Sequence, residues 1–402
     1  MKLLIICPKL PNMANKAFDL PENPLGGWID GMIKNLSSSM ELTVLFPENS
    51  LDEADHIVDG VAYYRLHTNS SKLKGLLEDN DIIHIIGLEH WYIAELMPYI
   101  SFDKTILNIT GLKSECAKVY MNDIHTLNPL LYANMKYAQN DFKVKGETEI
   151  ELLKRCRFVT GRSAWDKQCA LNINPEIHYF ACFENLRDEF YATPKWDISK
   201  AEKHSIFISQ ISYPIKGGHK ALEIVNEVSK KYPDLQVYIA GEDMMKADSL
   251  LTKFNSSYAS YIKNYIIRNK LDNIVHFTGS LGAAGMIERL LNSHLFLTTS
   301  SLENSPNSIQ EAMLLGVPCV STAVGGVPSI WKGSPCRLFD FEDTDKAVKQ
   351  ISEIFEMDDE KIMLESKEAI EFSSKISDRE NNAKTMLEIH EEIYRDLKSQ
   401  VE

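Results

Sequence analysis

The chain has 402 residues, 44% of them hydrophobic and 25% charged, the balance of a globular protein too long for one ordinary core. Its net charge of -14 excludes nucleic acid as the main ligand, because a surface that tracks phosphates needs a basic excess. Seven scattered cysteines without a CxxC pair exclude a zinc site of ordinary spacing and argue for a reduced, cytoplasmic protein.

The first segment, MKLLIICPKLPN, has an apolar run of about five residues before a proline, too short for the core of a signal peptide. It reads as a first buried strand, Leu3–Cys7. Further strands are predicted at Leu42–Phe46, Val61–Leu66, Ile82–Ile86, Thr105–Ile109 and Phe158–Thr160, with helices such as Trp28–Ser38 and Thr148–Arg155 between them. Continuous apolar strands separated by helices indicate a parallel sheet covered on both faces. The stretch Leu112–Gly146 shows no strand and is long for a connection, which marks it as an insertion, expected in the first domain. The second half repeats this alternation, with strands at Ile206–Ser209, Val237–Ala240, Val275–Phe277, Leu295–Thr298 and Cys319–Ser321. Its helices are predicted near His219–Lys231, Ser257–Asn269, Ala284–Asn292 and Ile309–Leu315. The expected fold is therefore α/β, with Rossmann-like domains at 1–192 and 193–377 and a last helical stretch, 378–402. No run of about 18 apolar residues predicts a helix that spans a membrane.

The chemistry is densest in Ser300–Pro328, SSLENSPNSIQEAMLLGVPCVSTAVGGVP. Ser305 is the expected N-cap and Pro306 suits the first helical position, while Gly316 and Pro318 stop the helix. A helix start offers N–H groups and partial positive charge to a phosphate, here around Asn307 and Ser308. Glu311, one turn further in, can accept hydrogen bonds from ribose hydroxyls, so the local reading is a nucleotide-diphosphate site. Lys216, before Gly217 and Gly218, sets a cation beside another helix start. Gly26 and Gly27 precede the first long helix, where backbone can approach an anion closely. His90 and Trp91 lie just past the Ile82–Ile86 strand, where ligands of α/β sheets collect, and with Glu89 suit an acceptor sugar. The competing reading of that trio is ordinary loop surface.

Glu303 and Glu311, eight positions apart, followed by E-A-M-x-x-G-x-P and GG-x-P, resemble the donor-binding signature of family 4 glycosyltransferases, retaining enzymes of the GT-B fold. The Lys216-Gly217 element and the Gly26-Gly27 loop resemble that family too, and ITGLKSECAKVY, TGRSAWDK and ENLRDEFY are similar to its bacterial surface-polysaccharide members. The resemblance implies two Rossmann-like domains facing across a cleft, the first taking the acceptor, with the last helix returning to it. It implies metal-independent transfer of a sugar, a UDP-sugar being the first expectation, to a hydroxyl acceptor, a saccharide or glycolipid. No cofactor is implied, the co-substrate being the nucleotide sugar, and a peripheral membrane contact at the inner face is compatible with it.

By the same resemblance Lys216 meets the donor phosphates and Glu303 the donor sugar, and these two carry the catalytic expectation. Gly26, Gly27, Asn307, Ser308 and Glu311 complete the donor set. The sequence also departs from the family. Ile211 stands where many relatives have an arginine, Ser329 where they have a glutamate, and ILNITGL has no histidine at the place of the family's strand-end histidine. His84, inside a strand, reads as core or cleft floor, and Arg187 as half of an ion pair. A sugar-nucleotide 2-epimerase of the same fold and a non-catalytic nucleotide-sugar binder remain open beside the transferase.

Overall fold

The computed structural model describes residues 1–21, 27–47, 52–88, 90–246 and 257–399. It divides into two compact units. The first comprises Met1–Ser114, Val144–Arg187 and Ser377–Glu402; the second comprises Glu115–Lys143 and Asp188–Ile376.

The first unit holds eight strands: β1 (Lys2–Ile6), β2 (Glu41–Phe46), β3 (Ala54–Val58), β4 (Val61–Arg65), β5 (Ile82–Ile86), β6 (Thr105–Asn108), β7 (Phe158–Gly161) and β8 (His178–Ala181). Their order in the sheet is β3-β4-β2-β1-β5-β6-β7-β8, parallel throughout except for the β3–β4 pair. Strand residues alternate between the two faces, so Leu3 and Ile5 enter one core and Leu4 and Ile6 the other. Both faces are covered, which is why β5, IIHII, is buried along its whole length. The closing helix Arg379–Ser399 supplies Met386, Ile389 and Ile393 to the Leu3–Ile5 face.

The second unit holds β9 (Glu202–Ile208), β10 (Gln236–Ala240), β11 (Val275–Gly279), β12 (Ser293–Thr298), β13 (Cys319–Thr322) and β14 (Arg337–Phe339), ordered β11-β10-β9-β12-β13-β14 and all parallel. Chain order reverses between β9 and β12, and in the first unit between β1 and β5. A reversal of this kind opens a crevice at the carboxyl ends of the two strands, the place where open α/β sheets take ligands.

Two expectations need correction. The segment around Leu112–Gly146 is helical, with helices Lys113–Val119 and Pro129–Arg155, and its residues 115–143 pack into the second unit rather than the first. Ser305 is not the N-cap. The cap is Pro306, at φ −70° and ψ 111°, and the helix runs Asn307–Leu315. An extended ψ at proline leaves it half outside the helix, so the serine hydroxyl falls one residue short of the cap position.

Candidate active site

Strand β9 ends at Ile208 and β12 at Thr298, so the two loops that follow them meet at the reversal of the second sheet. The first loop makes a short turn, Pro214–Lys216, and then Gly217 takes a left-handed φ of 65° before the helix Gly218–Lys231. Only glycine fits there, because a Cβ would stand 1.8 Å from the Thr299 carbonyl oxygen. The close approach is used twice over: Thr299 Oγ1 donates to the Gly217 carbonyl at 2.9 Å, and Ser301 N–H donates to the Ile215 carbonyl at 2.8 Å.

This stitching sets Lys216 against Glu303. Lys216 Nζ donates to Glu303 Oε1 at 2.6 Å, and Ser300 Oγ donates to the same oxygen at 2.7 Å. The two side chains are 23% and 15% exposed. Burial pulls the Lys216 ammonium towards neutrality, but the adjacent carboxylate outweighs it and holds the group above its ordinary range. The residues expected to serve the donor phosphates and the donor sugar are thus brought together as one ion pair. Glu303 is held from behind as well: its carbonyl accepts from Gly326 N–H at 2.9 Å. A Cβ on Gly325, at φ 53°, would come within 2.1 Å of that carbonyl. The GG-x-P loop therefore fixes the backbone of Glu303.

The helix Asn307–Leu315 starts four residues beyond Glu303. Its cap residue, being proline, contributes no side-chain acceptor to the first turn, and Ser305 Oγ is buried without a hydrogen-bond partner among the described residues. Asn307 and Ser308 are partly exposed, whereas Glu311 is 5% exposed. Gly316 ends the helix at φ 88°, as the sequence predicts.

Residues 115–143 complete this site in a way the sequence reading missed. Ser301 Oγ donates to the Val119 carbonyl at 3.5 Å, and the rings of Tyr120, Phe142 and Tyr213 follow one another at centroid distances of 5.0 and 6.2 Å. The row ends beneath Lys216, whose Nζ lies 5.9 Å from the Tyr213 centroid. His219 Nε2 donates to the Asn122 carbonyl at 2.9 Å, and Tyr258 Oη, which accepts from His219 N–H, lies 2.9 Å from Nδ1. Burial, opposed by the Asn122 carbonyl, keeps this histidine neutral, with a pKa of about 4. Lys220 is 2% exposed on its side chain and is paired with Asp123 at 2.6 Å and Glu223 at 2.8 Å. The only sequence signal for this anchoring was the aromatic content of a segment without strand character.

Ile211 occupies the place of the family's arginine and is a core residue, 1% exposed, packed against Gly218. No cation replaces the arginine at that position.

In the first unit Gly26 and Glu89 lie outside the described residues, and Gly27 begins the helix Gly27–Ser37. His90 caps the helix Trp91–Leu96, its Nδ1 accepting from Tyr92 N–H at 3.3 Å, while Trp91 is 42% exposed. Both follow β5 at the reversal of the first sheet, past Gly87, whose φ of 74° brings its backbone against Pro8. The hydrogen bond assigned to an acceptor through His90 is thus partly spent on the fold. His84 is fully buried and its Nδ1 lies 3.1 Å from His390 Nε2, which makes it a core residue. Among the described residues no group of three or more His, Cys, Asp or Glu side chains is placed to hold a metal ion. None of the described helices is long and apolar enough to cross a membrane.

Comparison with known proteins agrees with this architecture. Sucrose-phosphate synthase from Thermosynechococcus elongatus superposes with a TM-score of 0.68 over 98% of this chain and 100% of its own, at 13% identity. Anabaena HepE, solved in complex with UDP and glucose, gives 0.67 over 97% and 99%, at 15% identity. WaaG, a glycosyltransferase involved in lipopolysaccharide biosynthesis, gives 0.61 over 95% and 98%, at 10% identity. The fold is that of the GT-B glycosyltransferases. Within it, residues 192–376 match the family described as glycosyl transferases group 1. One curated relative, a component of the Homo sapiens phosphatidylinositol N-acetylglucosaminyltransferase, is 30% identical over 158 residues, 39% of this chain. The chain spans 29% of that relative's length.

Proposed function

We propose that the protein is a retaining, metal-independent glycosyltransferase that moves a sugar from a nucleotide diphosphate sugar, a UDP-sugar first of all, to a hydroxyl of a saccharide or glycolipid. The observation that carries this reading is the Lys216–Glu303 pair at the reversal of the second sheet, four residues before the helix whose N-cap is Pro306. HepE, of the same fold, is solved with UDP and glucose; the human relative is by name a subunit of a phosphatidylinositol N-acetylglucosaminyltransferase, and WaaG a glycosyltransferase involved in lipopolysaccharide biosynthesis. These likenesses support the donor and acceptor classes.

The chemistry follows from charge. A leaving nucleoside diphosphate gains negative charge as the sugar bond breaks. Lys216 and the first turn at Asn307 and Ser308 offer positive charge to it. When Lys216 turns to the diphosphate, Glu303 is released to accept from the donor sugar's hydroxyls. Glu311 holds the ribose. Trp91 supplies a ring for an acceptor sugar, with His90 setting its position. Removing one preorganised contact to developing charge costs about 10²–10³ in rate. Lys216→Ala should therefore lower turnover of UDP-sugars by that factor in a donor-consumption assay. Unchanged turnover would remove Lys216 from the chemistry.

The buried Ile211 favours one second reading, a nucleotide-sugar binder without turnover. Binding of UDP-sugars with neither transfer nor hydrolysis across acceptors would establish it, and epimerised product without acceptor would establish the 2-epimerase instead.

A further inference from the structure

Glu303 presents its two carboxylate oxygens unequally. Oε1 accepts from Lys216 Nζ at 2.6 Å and from Ser300 Oγ at 2.7 Å. Oε2 accepts from none of the described residues, and it is not sealed from solvent, the side chain being 15% exposed. A carboxylate can accept on both oxygens, so one half of the group is committed to the fold and the other half is open.

The two donors on Oε1 differ in what holds them. Lys216 belongs to the loop after β9, and its ammonium rides on a flexible four-carbon stem. Ser300 stands on Glu303's own loop, three positions before it, and is 1% exposed. Its backbone is fixed by Thr322, whose Oγ1 donates to the Ser300 carbonyl at 2.7 Å. Thr299 and Ser301, on either side, tie the same loop to Gly217 and Ile215. A buried hydroxyl on so short a side chain has little freedom to lose, and its bond to a carboxylate is charge-assisted. In the reading proposed above, the diphosphate takes Lys216 away. Ser300 is then the donor left on Oε1 among the described residues. Without it the Glu303 side chain, with several rotatable bonds, is free to turn.

We propose that Ser300 is a positioning residue for the sugar half of the donor. Its hydroxyl holds Glu303 by Oε1, which leaves Oε2 turned to accept from a hydroxyl of the bound sugar. Ser300 itself touches neither sugar nor phosphate. This role rests on the donor reading of Lys216 and Glu303; it adds which oxygen meets the sugar and what keeps it there.

The test is calorimetric titration of UDP, UDP-glucose, UDP-galactose and UDP-N-acetylglucosamine into the full chain. The proteins are the wild type, Ser300→Ala, Ser300→Cys, Glu303→Ala and the double variant Ser300→Ala/Glu303→Ala. In Ser300→Ala the best-bound sugar nucleotide should weaken roughly tenfold or more, while UDP stays within about twofold of the wild type. Ser300→Cys, with a weak donor of similar size, should fall between. Once Glu303 is alanine, adding Ser300→Ala should change nothing further, because the serine acts through that carboxylate. Unchanged sugar-nucleotide affinity in Ser300→Ala overturns the proposal. So does an equal loss for UDP, which marks a general structural role, or a further loss in the double variant. A wild type that binds neither UDP nor any of the three sugar nucleotides would instead overturn the donor reading itself.

Discussion

Gly217 and Glu303 are the residues on which the proposed donor site depends most visibly. Alanine at Gly217 would meet the Thr299 carbonyl in a backbone region that L-residues occupy at a cost of about 1–3 kcal/mol, before any clash is counted. Gly217→Ala should therefore lower the free energy of unfolding in urea titrations by at least that amount; an unchanged value would show that the loop reshapes freely. Glu303→Gln tests the electrostatics. Burial acts to lower the Lys216 pKa and the Glu303 carboxylate to raise it, so without the charge the ammonium should lose its proton at lower pH. Nucleotide affinity in Glu303→Gln should accordingly decline at a lower alkaline pH than in the wild type. Coincident pH profiles would mean that Lys216 does not hold the nucleotide.

At the scale of elements, the closing helix Arg379–Ser399 is a sharp test because its His390 meets His84 in the core of the first unit. His390 Nδ1–H donates to the Met386 carbonyl at 2.7 Å, so its Nε2 accepts from His84 Nδ1–H, and both rings are neutral. Burial, and for His84 also its partner, lowers both groups: His390 to about 4, His84 well below its usual value of 6.5. The folded state resists protonation while the unfolded chain takes up protons below pH 6.5. Stability is therefore fully present above that pH and is lost as pH falls towards 4, at about 1.4 kcal/mol per pH unit for each histidine. The double variant His84→Leu/His390→Leu should show a shallower loss of stability over that window in urea titrations. An identical slope would place the acid sensitivity elsewhere.

Which elements were legible in the sequence follows from burial. Central strands such as β5 and β12 are buried along their whole length; β5 was located to the residue and β12 from Leu295 onwards, its first two residues being the polar Ser293 and His294. The strands not foreseen all lie at or beside a sheet edge. β3 reads ADHIV with three exposed residues, β8 reads HYFA with neither end buried, and β14 has only three residues. Such strands carry no continuous apolar signal. The Pro129–Arg155 helix escaped because much of its surface is solvated, with Leu130 and Tyr137 exposed, so no apolar stripe announces its first half. In the site, the identities of Lys216, Glu303 and Glu311 were legible from their motifs. The pairing of Lys216 with Glu303 was not, nor was the aromatic row from Tyr120, because both depend on loops from distant parts of the chain.

For the whole molecule, the two sheets differ in what they offer. The second unit carries a charged, glycine-pinned centre at its strand reversal; the first carries an exposed tryptophan after β5. The account's central claim is that the centre at the ends of β9 and β12 holds a nucleoside diphosphate through Lys216 and Glu311. Calorimetric titration of UDP into the wild type, Lys216→Ala and Glu311→Ala tests it directly. Hydrogen bonds to charged groups are worth about 1.5–3 kcal/mol, so each variant should bind UDP roughly 10- to 150-fold more weakly while remaining folded. Wild-type affinity in both folded variants would contradict the claim.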